Sequence, residues 1–262
     1  MDRNELITRI EEADMVLVGL GEDFDRRVEL VQSDIYKKGC ERLAEENAHS
    51  LIPAWNTFCI DKAGVSSGEQ ELQKLATLLM DKNYFVVTVS TNPLLAAIPW
   101  KHGRIVMPCG SSLQKQCSKG CNKVIPINEY DELNLKNLFE QLYAGGNVAG
   151  LSTILGTCTE CNQPYCLNNV YAENYDESGY LEQWSLYMKW LQGTVNRKVL
   201  LLELGVGMKF PSVIRWPFEK VAYFNQKSYF CRVHEKLYQL TAELSGKGCG
   251  ISQNAIDWLR ML

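Results

Sequence analysis

Four cysteines in two close pairs, Cys117-Ser-Lys-Gly-Cys121 and Cys158-Thr-Glu-Cys161, interrupt a chain whose two ends otherwise read as alternating strands and helices. Tetrahedral zinc takes four thiolate or imidazole ligands, at about 2.3 Å for sulfur, and a short turn aims two thiolates at one ion when two to four residues separate them. Both pairs meet that condition, and turn-forming Asn, Gln or Pro residues follow each. They read as two knuckles facing one structural ion, with Cys117, Cys121, Cys158 and Cys161 as ligands. The alternatives are ordinary buried thiols or a disulfide framework. Disulfides need an oxidising compartment, and Met1-Asp2-Arg3-Asn4-Glu5 has neither the positive n-region nor the apolar h-region that would send the chain to one. The other cysteines, Cys40, Cys59, Cys109, Cys166, Cys231 and Cys249, are scattered as reduced cytoplasmic thiols are. Cys166 lies near the second knuckle and is either a substitute ligand or a buried thiol.

Composition places this centre in an intracellular globule. With 262 residues, net charge −4 and 46% hydrophobic content, the chain can build one large domain, or one large and one small. No apolar run approaches the roughly 20 residues that span a bilayer, which excludes a membrane protein. Mild acidity without a basic cluster argues against nucleic acid as partner.

Along the chain, Leu6, Ile7 and Ile10 stand at helical spacing, and Met15 to Gly19 is a short apolar run of the kind a central parallel strand makes. It ends in Gly19-Leu20-Gly21, where a helix N-terminus and close backbone approach suit a pyrophosphate; a ligand-free glycine turn is the other reading. Glu22, Asp23 and Asp25 follow and put carboxylates where phosphate oxygens would sit, which opposes binding. Residues 26–47 read mainly as helix. His49 to Gly68, with Pro53, Trp55, Phe58 and Gly64, reads as irregular, its aromatics packing a loop or lining a pocket. Leu72, Leu75, Leu78 and Leu79 mark an amphipathic helix, and Tyr84 to Ser90 is a second central strand whose end, Ser90-Thr91-Asn92, is a candidate ligand edge. Arg104 to Met107 is a third strand, ending in Pro108-Cys109-Gly110. A helix over 131–143 lies between the knuckles, and a helix over 180–191 returns to the sheet. Lys198 to Leu204 is a buried strand running into Gly205-Val206-Gly207, followed by a short helix from Pro211 to Glu219 and a strand at Val221 to Phe224, closed by Asn225. The fold class expected is α/β, a Rossmann-like doubly wound parallel sheet with a small zinc-binding subdomain: residues 1–110 and 180–262 in the large part, 111–179 in the small.

The run from Lys198 to Glu219, with Leu202-Glu203-Leu204-Gly205-Val206-Gly207 and Pro217-Phe218-Glu219, resembles the sirtuin signature, and is closest to the microbial sirtuins linked to macrodomains. The first strand and glycine loop, the strand ending at Asn92, the four cysteines and Phe224-Asn225 extend the resemblance over most of the chain. It implies a nucleotide-binding large domain, a zinc domain, and a cleft between them where NAD is broken at its nicotinamide bond, for lysine deacylation or, in the macrodomain-linked branch, protein ADP-ribosylation. NAD or a related nucleotide and a protein substrate are the implied partners. NAD would contact Gly19, Gly21, Ser90, Asn92, Gly205 and Gly207, with Asn225 near the adenosine ribose, and with weak affinity because of Glu22 and Asp23.

The chain departs from the family at three places. The family opens its phosphate loop with Gly-Ala-Gly-x-Ser, against Gly19-Leu20-Gly21-Glu22-Asp23 here. It carries Asn-x-Asp where this chain has Ser90-Thr91-Asn92-Pro93. Its catalytic His before a Gly is replaced by Cys109-Gly110, and none of His49, His102 and His234 falls there. Three readings follow: an NAD-consuming transferase or deacylase with its cleft rebuilt around Asn92 and Cys109; a sirtuin-fold module that binds a nucleotide or protein without turnover; or a zinc-ribbon interaction module on a structural α/β domain. The first requires Cys109 to face the cleft, accessible and partly ionised, because a thiol near its ordinary pKa is a poor base.

Overall fold

The computed structural model describes residues 1–262 apart from Asn122, Asn147 and Ala149, and the backbone alone of Val28. Helix α1 (Arg3–Glu12) starts where the Asp2 carboxylate accepts the Glu5 amide at 2.9 Å, and the chain runs from it into strand β1 (Met15–Leu20). Helices α2 (Asp34–Glu45), α3 (Ile52–Lys62) and α4 (Glu69–Leu78) follow, then β2 (Asn83–Thr88), a short α5 (Leu94–Ala97) and β3 (Ile105–Val106). The middle of the chain holds β4 (Gly110–Cys117), β5 (Ile125–Pro126), α6 (Glu129–Tyr143) and β6 (Tyr165–Asn169). The last third runs α7 (Leu181–Gln192), β7 (Val199–Leu204), α8 (Arg215–Phe224), β8 (Ser228–Val233), β9 (Gly248–Ile251) and α9 (Ala255–Leu259).

Six strands pair in the order β3-β2-β1-β7-β8-β9, every pair parallel. Parallel strands covered on both faces are buried and mainly apolar throughout, as β1 is along its whole length and β7 is apart from the ion-paired Glu203. Alternate residues of β1 serve the two faces: Val16, Val18 and Leu20 pack with α1, α4 and α9, while Met15 and Leu17 pack with Tyr187, Trp190 and Phe218 of α7 and α8. Strand order reverses between β1 and β7, whose registers align Leu20 with Leu204. The two glycine loops therefore leave the sheet side by side, at the point where open α/β sheets hold ligands.

The second layer is a three-stranded antiparallel sheet, β5-β4-β6. Its core joins Leu135, Leu138 and Phe139 of α6 to Leu43 of α2 and to Trp55 and Cys59 of α3. Residues of the 34–62 segment thus pack with the zinc-module side, although the sequence boundaries put them with the large sheet. The expected irregular stretch after His49 is helix α3. Pro53 sits at its first turn, where a missing N–H costs nothing, and Trp55 and Phe58 stack at 5.6 Å within the cluster, so no clean polar stripe marks the helix.

A second difference lies near the end of the chain. Val221 to Phe224 is the last turn of α8, not a strand. Phe218 and Ala222, four residues apart, bury the helix against the sheet, and the strand is the next apolar run, Ser228–Val233.

Within the smaller layer one buried ion pair fixes α6 to β4. The Lys115 ammonium lies 2.8 Å from both Asp131 carboxylate oxygens and 3.1 Å from the Leu155 carbonyl, and Asp131 also completes the capping box with Asn128. Removing one member of such a pair leaves an uncompensated buried charge. Asp131→Ala should lower the unfolding free energy by about 3–5 kcal/mol in urea denaturation, whereas Glu129→Ala on the exposed first turn should change it by no more than about 1 kcal/mol. Equal effects from the two would show that the pair does not hold the layer.

Candidate functional site

The two cysteine pairs meet. Cys117 and Cys121 flank the turn after β4, and Cys158 and Cys161 flank the turn before β6. Their sulfurs lie 3.5 Å apart for Cys117–Cys121 and Cys117–Cys161, 3.4 Å for Cys121–Cys158 and 3.2 Å for Cys121–Cys161. A zinc–sulfur bond of about 2.3 Å implies a tetrahedron edge of roughly 3.8 Å, so the four thiolates fit one zinc after a few tenths of an ångström of expansion. Four protein ligands leave no position open, which makes the centre structural. Cys166 stands outside it, with its sulfur 3.8 Å from the Gln116 carbonyl.

At the switch point the loops after β1 and β7 do not form an open cradle. A Cβ on Gly21 would stand 2.1 Å from the Gly205 carbonyl oxygen and 2.3 Å from the Val206 Cα, so the two backbones touch. Gly205 adopts φ +64°, and its own Cβ position would lie 2.4 Å from the Asp23 Cβ. The Gly207 amide donates to the Glu22 carboxylate at 2.7 Å, and Asp23 accepts the Ala255 amide at 3.1 Å while its own amide donates to the Gly205 carbonyl at 3.2 Å. Glu22 thus occupies one of the amides expected to hold pyrophosphate, and the Gly21 and Gly205 amides donate to the Leu204 and Val233 carbonyls. Gly19 is not in the loop at all: it lies within β1, where a side chain would strike Ile214 at 2.5 Å, so glycine there lets α8 approach the sheet.

The cavity next to this closed point is open. It has a volume of about 510 Å³; Asp25, Arg26, Asn92 and Ser112 line it together with Asp61, Glu69, Glu132 and Lys136, and its apolar end includes Phe58, Leu113 and Phe139. Asp25 accepts the Ser90 hydroxyl at 2.5 Å and has Arg27 at 3.9 Å. Burial pushes its carboxyl above the ordinary range, with Arg27 and Ser90 opposing. Asn92 is a clasp within this edge. Its amide nitrogen donates to the Phe24 carbonyl at 3.3 Å and its oxygen accepts the Leu94 amide at 3.1 Å. Several buried polar atoms here make no hydrogen bond among the described residues: Arg26 Nε and Ser112 Oγ in the cavity wall and, behind it, Arg27 Nε and Asn56 Oδ1, whose amide nitrogen already donates to the Asp25 carbonyl at 2.6 Å. Buried polar groups are normally satisfied, so unused donors and an unused acceptor around one cavity suit a polar ligand.

Of the residues expected from sequence, Ser90 and Asn92 meet at this edge, while two others do not behave as expected. Cys109 is 2% exposed, packed among Val89, Val106 and Val206 beneath the cleft, and its thiol is pushed up to about 12 by burial and by the nearby Asp25 and Glu22 charges. Asn225 caps α8 before β8 begins, at the opposite end of the strands, where its amide donates at 3.0 Å to the carbonyls of Thr194 and Arg197. The residue that follows β8 on the loop side is His234, whose Nδ1 accepts the Lys236 and Leu237 amides at 3.0 and 3.1 Å. Asp25, Asn56 and Ser112 carry no motif. Asp25 reads in sequence only as one more acid opposing phosphate.

The cysteines generate two expectations. Purified protein should carry about one zinc per chain, and Cys158→Ser should lose it with a drop in thermal stability; an unchanged metal content would remove the centre. The Cys109 thiol, raised to about 12 by burial, stays protonated through the neutral and mildly alkaline range. It should therefore resist thiol reagents in the native protein at pH 7–9, where reactivity tracks the thiolate fraction. Native labelling that loses a fast-reacting site in Cys109→Ala would contradict its burial.

No family model matches the chain. A curated protein ADP-ribosyltransferase of Staphylococcus aureus strain Mu50 is 22% identical over 173 residues, which are 65% of this chain and 53% of that protein, so the chain spans about half the length of the curated relative it matches. Among solved structures, Sir2Tm bound to a propionylated peptide superimposes with a TM-score of 0.55 at 12% identity, covering 99% of this chain and 96% of the other. A Sir2 with a p53 peptide and NAD+ gives 0.54 at 11% identity over the same shares. Agreement from end to end at so low an identity is a likeness of fold, and the chain has a sirtuin-like fold.

Proposed function

We infer that the chain is an NAD-dependent ADP-ribosyltransferase, with protein deacylation as the related activity of the same cleft. The observation that carries this reading is the Asp25 carboxylate, buried at the end of β1 against Ser90 and facing a cavity with unused polar groups. NAD, when bound, supplies a nicotinamide–ribose bond whose rupture makes an ADP-ribosyl group. Asp25 is the residue that would stabilise positive charge growing at the ribose, as a preorganised carboxylate does in a water-poor site. Ser112, with a free hydroxyl, would orient the ligand, and Asn56 would hold the Asp25 backbone from behind; Arg26, with an unused Nε–H, and Lys136 are the cations this cavity offers to a phosphate. Asn92 would hold the loop bearing Asp25 in place. Ribose-hydroxyl activation by Cys109 has no part in this scheme, since a neutral buried thiol is neither base nor nucleophile.

The relative's function and the neighbours' ligands support the assignment: the former is a protein ADP-ribosyltransferase, and the latter hold NAD+ or acylated peptides. A peptide or protein acceptor would enter along the apolar end, by Phe58, Leu113 and Phe139. The larger sheet would form the NAD side and the zinc layer, joined by α2 and α3, the other side. Among the described residues no helix is long and apolar enough to cross a membrane. A reducing cytoplasm suits thiolates kept for zinc, and nucleic acid is not among the proposed partners.

The test is nicotinamide release from NAD with a protein acceptor present. Wild type should release it, and Asp25→Asn should reduce the rate about 10²-fold with the zinc content unchanged. Glu22→Ala, which frees the Gly207 amide for a phosphate oxygen, should tighten NAD binding several-fold by calorimetry. Nicotinamide release absent from wild type, or unaffected by Asp25→Asn, overturns the assignment; weaker binding by Glu22→Ala would show that this carboxylate serves the ligand.

A further inference from the structure

A larger cavity lies on the opposite edge of the main sheet, about 680 Å³ in volume, where β1, β2 and β3 begin and α7 ends. That volume falls within the range of small-molecule sites. Its charge is contrary to that of the whole molecule. The chain carries −4, yet Arg104, Lys189 and Arg197 converge here. Neither a hydrogen bond nor an ion pair engages the side chains of these three among the described residues, although most other arginines of the chain are paired. The sole carboxylate in the wall, Asp14, already accepts the Lys198 amide at 2.9 Å.

The neutral part of the wall offers donors too. Asn83 accepts the Trp190 indole N–H at 2.7 Å, which fixes the amide so that its NH2 remains free at the exposed start of β2. The carbonyls at the end of α7 that could repel an anion are partly taken: Trp190 and Leu191 accept the Gly193 and Thr194 amides at 3.0 Å. Leu186, Met15 and the Trp190 ring provide the apolar side. Three permanent cations, a free amide donor and a flat apolar wall select an anion with several acceptor oxygens attached to a planar body. Guanidinium groups are the side chains best matched to phosphate, which they bind in a fork.

We propose that this pocket binds a nucleoside diphosphate, with the phosphates on Arg104, Arg197 and Lys189 and the base against Trp190 and Leu186. The site is separated from the Asp25 cavity by the full length of the strands, so the two are independent in their contacts. Its assignment does not depend on the activity inferred for the cleft.

Calorimetric titration of the full chain with ADP, and separately with inorganic pyrophosphate, tests it. ADP should bind saturably at one site outside the cleft, and pyrophosphate more weakly for want of the apolar contact. Arg104→Gln with Arg197→Gln should weaken ADP at least tenfold without lowering the melting temperature, since neither side chain has a partner to lose. Asp25→Asn should leave this binding unchanged. The proposal is overturned if ADP does not bind, if the double variant binds as wild type does, or if Asp25→Asn abolishes binding and so locates it in the cleft. Equal affinity for ADP and pyrophosphate would overturn the role given to Trp190 and reduce the site to a phosphate pocket.

Discussion

The architecture of the candidate site depends on one buried carboxylate. Glu203, in the middle of the sheet and 0% exposed, faces Arg232 of the neighbouring strand in register and is held by two of its nitrogens at 2.7 and 3.1 Å. Arg232 reaches on to Glu219 at 2.7 Å and to the Gln239 carbonyl at 2.9 Å. Arg215 approaches Glu203 at 3.3 Å and donates to the Val206 carbonyl at 2.5 Å and to the Leu237 carbonyl at 3.2 Å. Burial pushes the Glu203 carboxyl up, and the two guanidiniums oppose it. Breaking such a set by removing one partner leaves a buried charge uncompensated, so its members stand or fall together. Its geometry matters because it ties the β7 loop to the sheet. With Val206 clamped, the Gly207 amide is aimed at Glu22, and the loop cannot withdraw from Gly21.

This clamping explains why the expected ligand point is filled and the ligand cavity lies beside it. A doubly wound sheet leaves its crevice where strand order reverses, because adjacent loops there diverge to opposite faces. Here the loops instead meet, glycine against glycine, and an internal carboxylate takes the amide an anion would use. The space that remains open is one strand over, between β1 and β2 on one side and the zinc layer on the other. Its chemistry follows from that position: carboxylates led by the buried Asp25, the cations Arg26 and Lys136 and the partnerless Ser112 hydroxyl meet an apolar wall contributed by α3 and α6. The zinc centre enters only through rigidity, since it fixes the two turns that hold β4 and β6 together, and with them the far wall.

Much of this was legible in the residues. Mainly apolar runs at 15–19, 84–90 and 198–204 marked the central strands, observed at 15–20, 83–88 and 199–204, because a parallel strand buried on both faces shows no regular polar alternation. Knuckle spacing alone picked out the four thiolates that come together. The failures share a cause. Val221 to Phe224 and the stretch after His49 are rich in aromatic and branched residues that a strand or loop uses equally well. Packing on several sides, against Ile214 and the sheet in one case and against α6 in the other, made both helical. The error at the end of α8 then carried Asn225 to the wrong edge of the sheet.

The sequence by itself determined the doubly wound order, the metal ligands and the departure from the family's phosphate loop, because each rests on local rules of periodicity, ligand spacing and charge. Only the tertiary structure decided where those charges point. Glu22 became a cap on a distant amide and Asp25 a wall of the cleft, though they stand three residues apart. Cys109 sank beneath the floor as an inert thiol, and Arg104, far along the chain from Lys189 and Arg197, came to share one pocket with them. Electrostatic and hydrogen-bonding roles depend on distance and burial in space, and the crossovers of a parallel sheet bring together residues that no spacing along the chain connects.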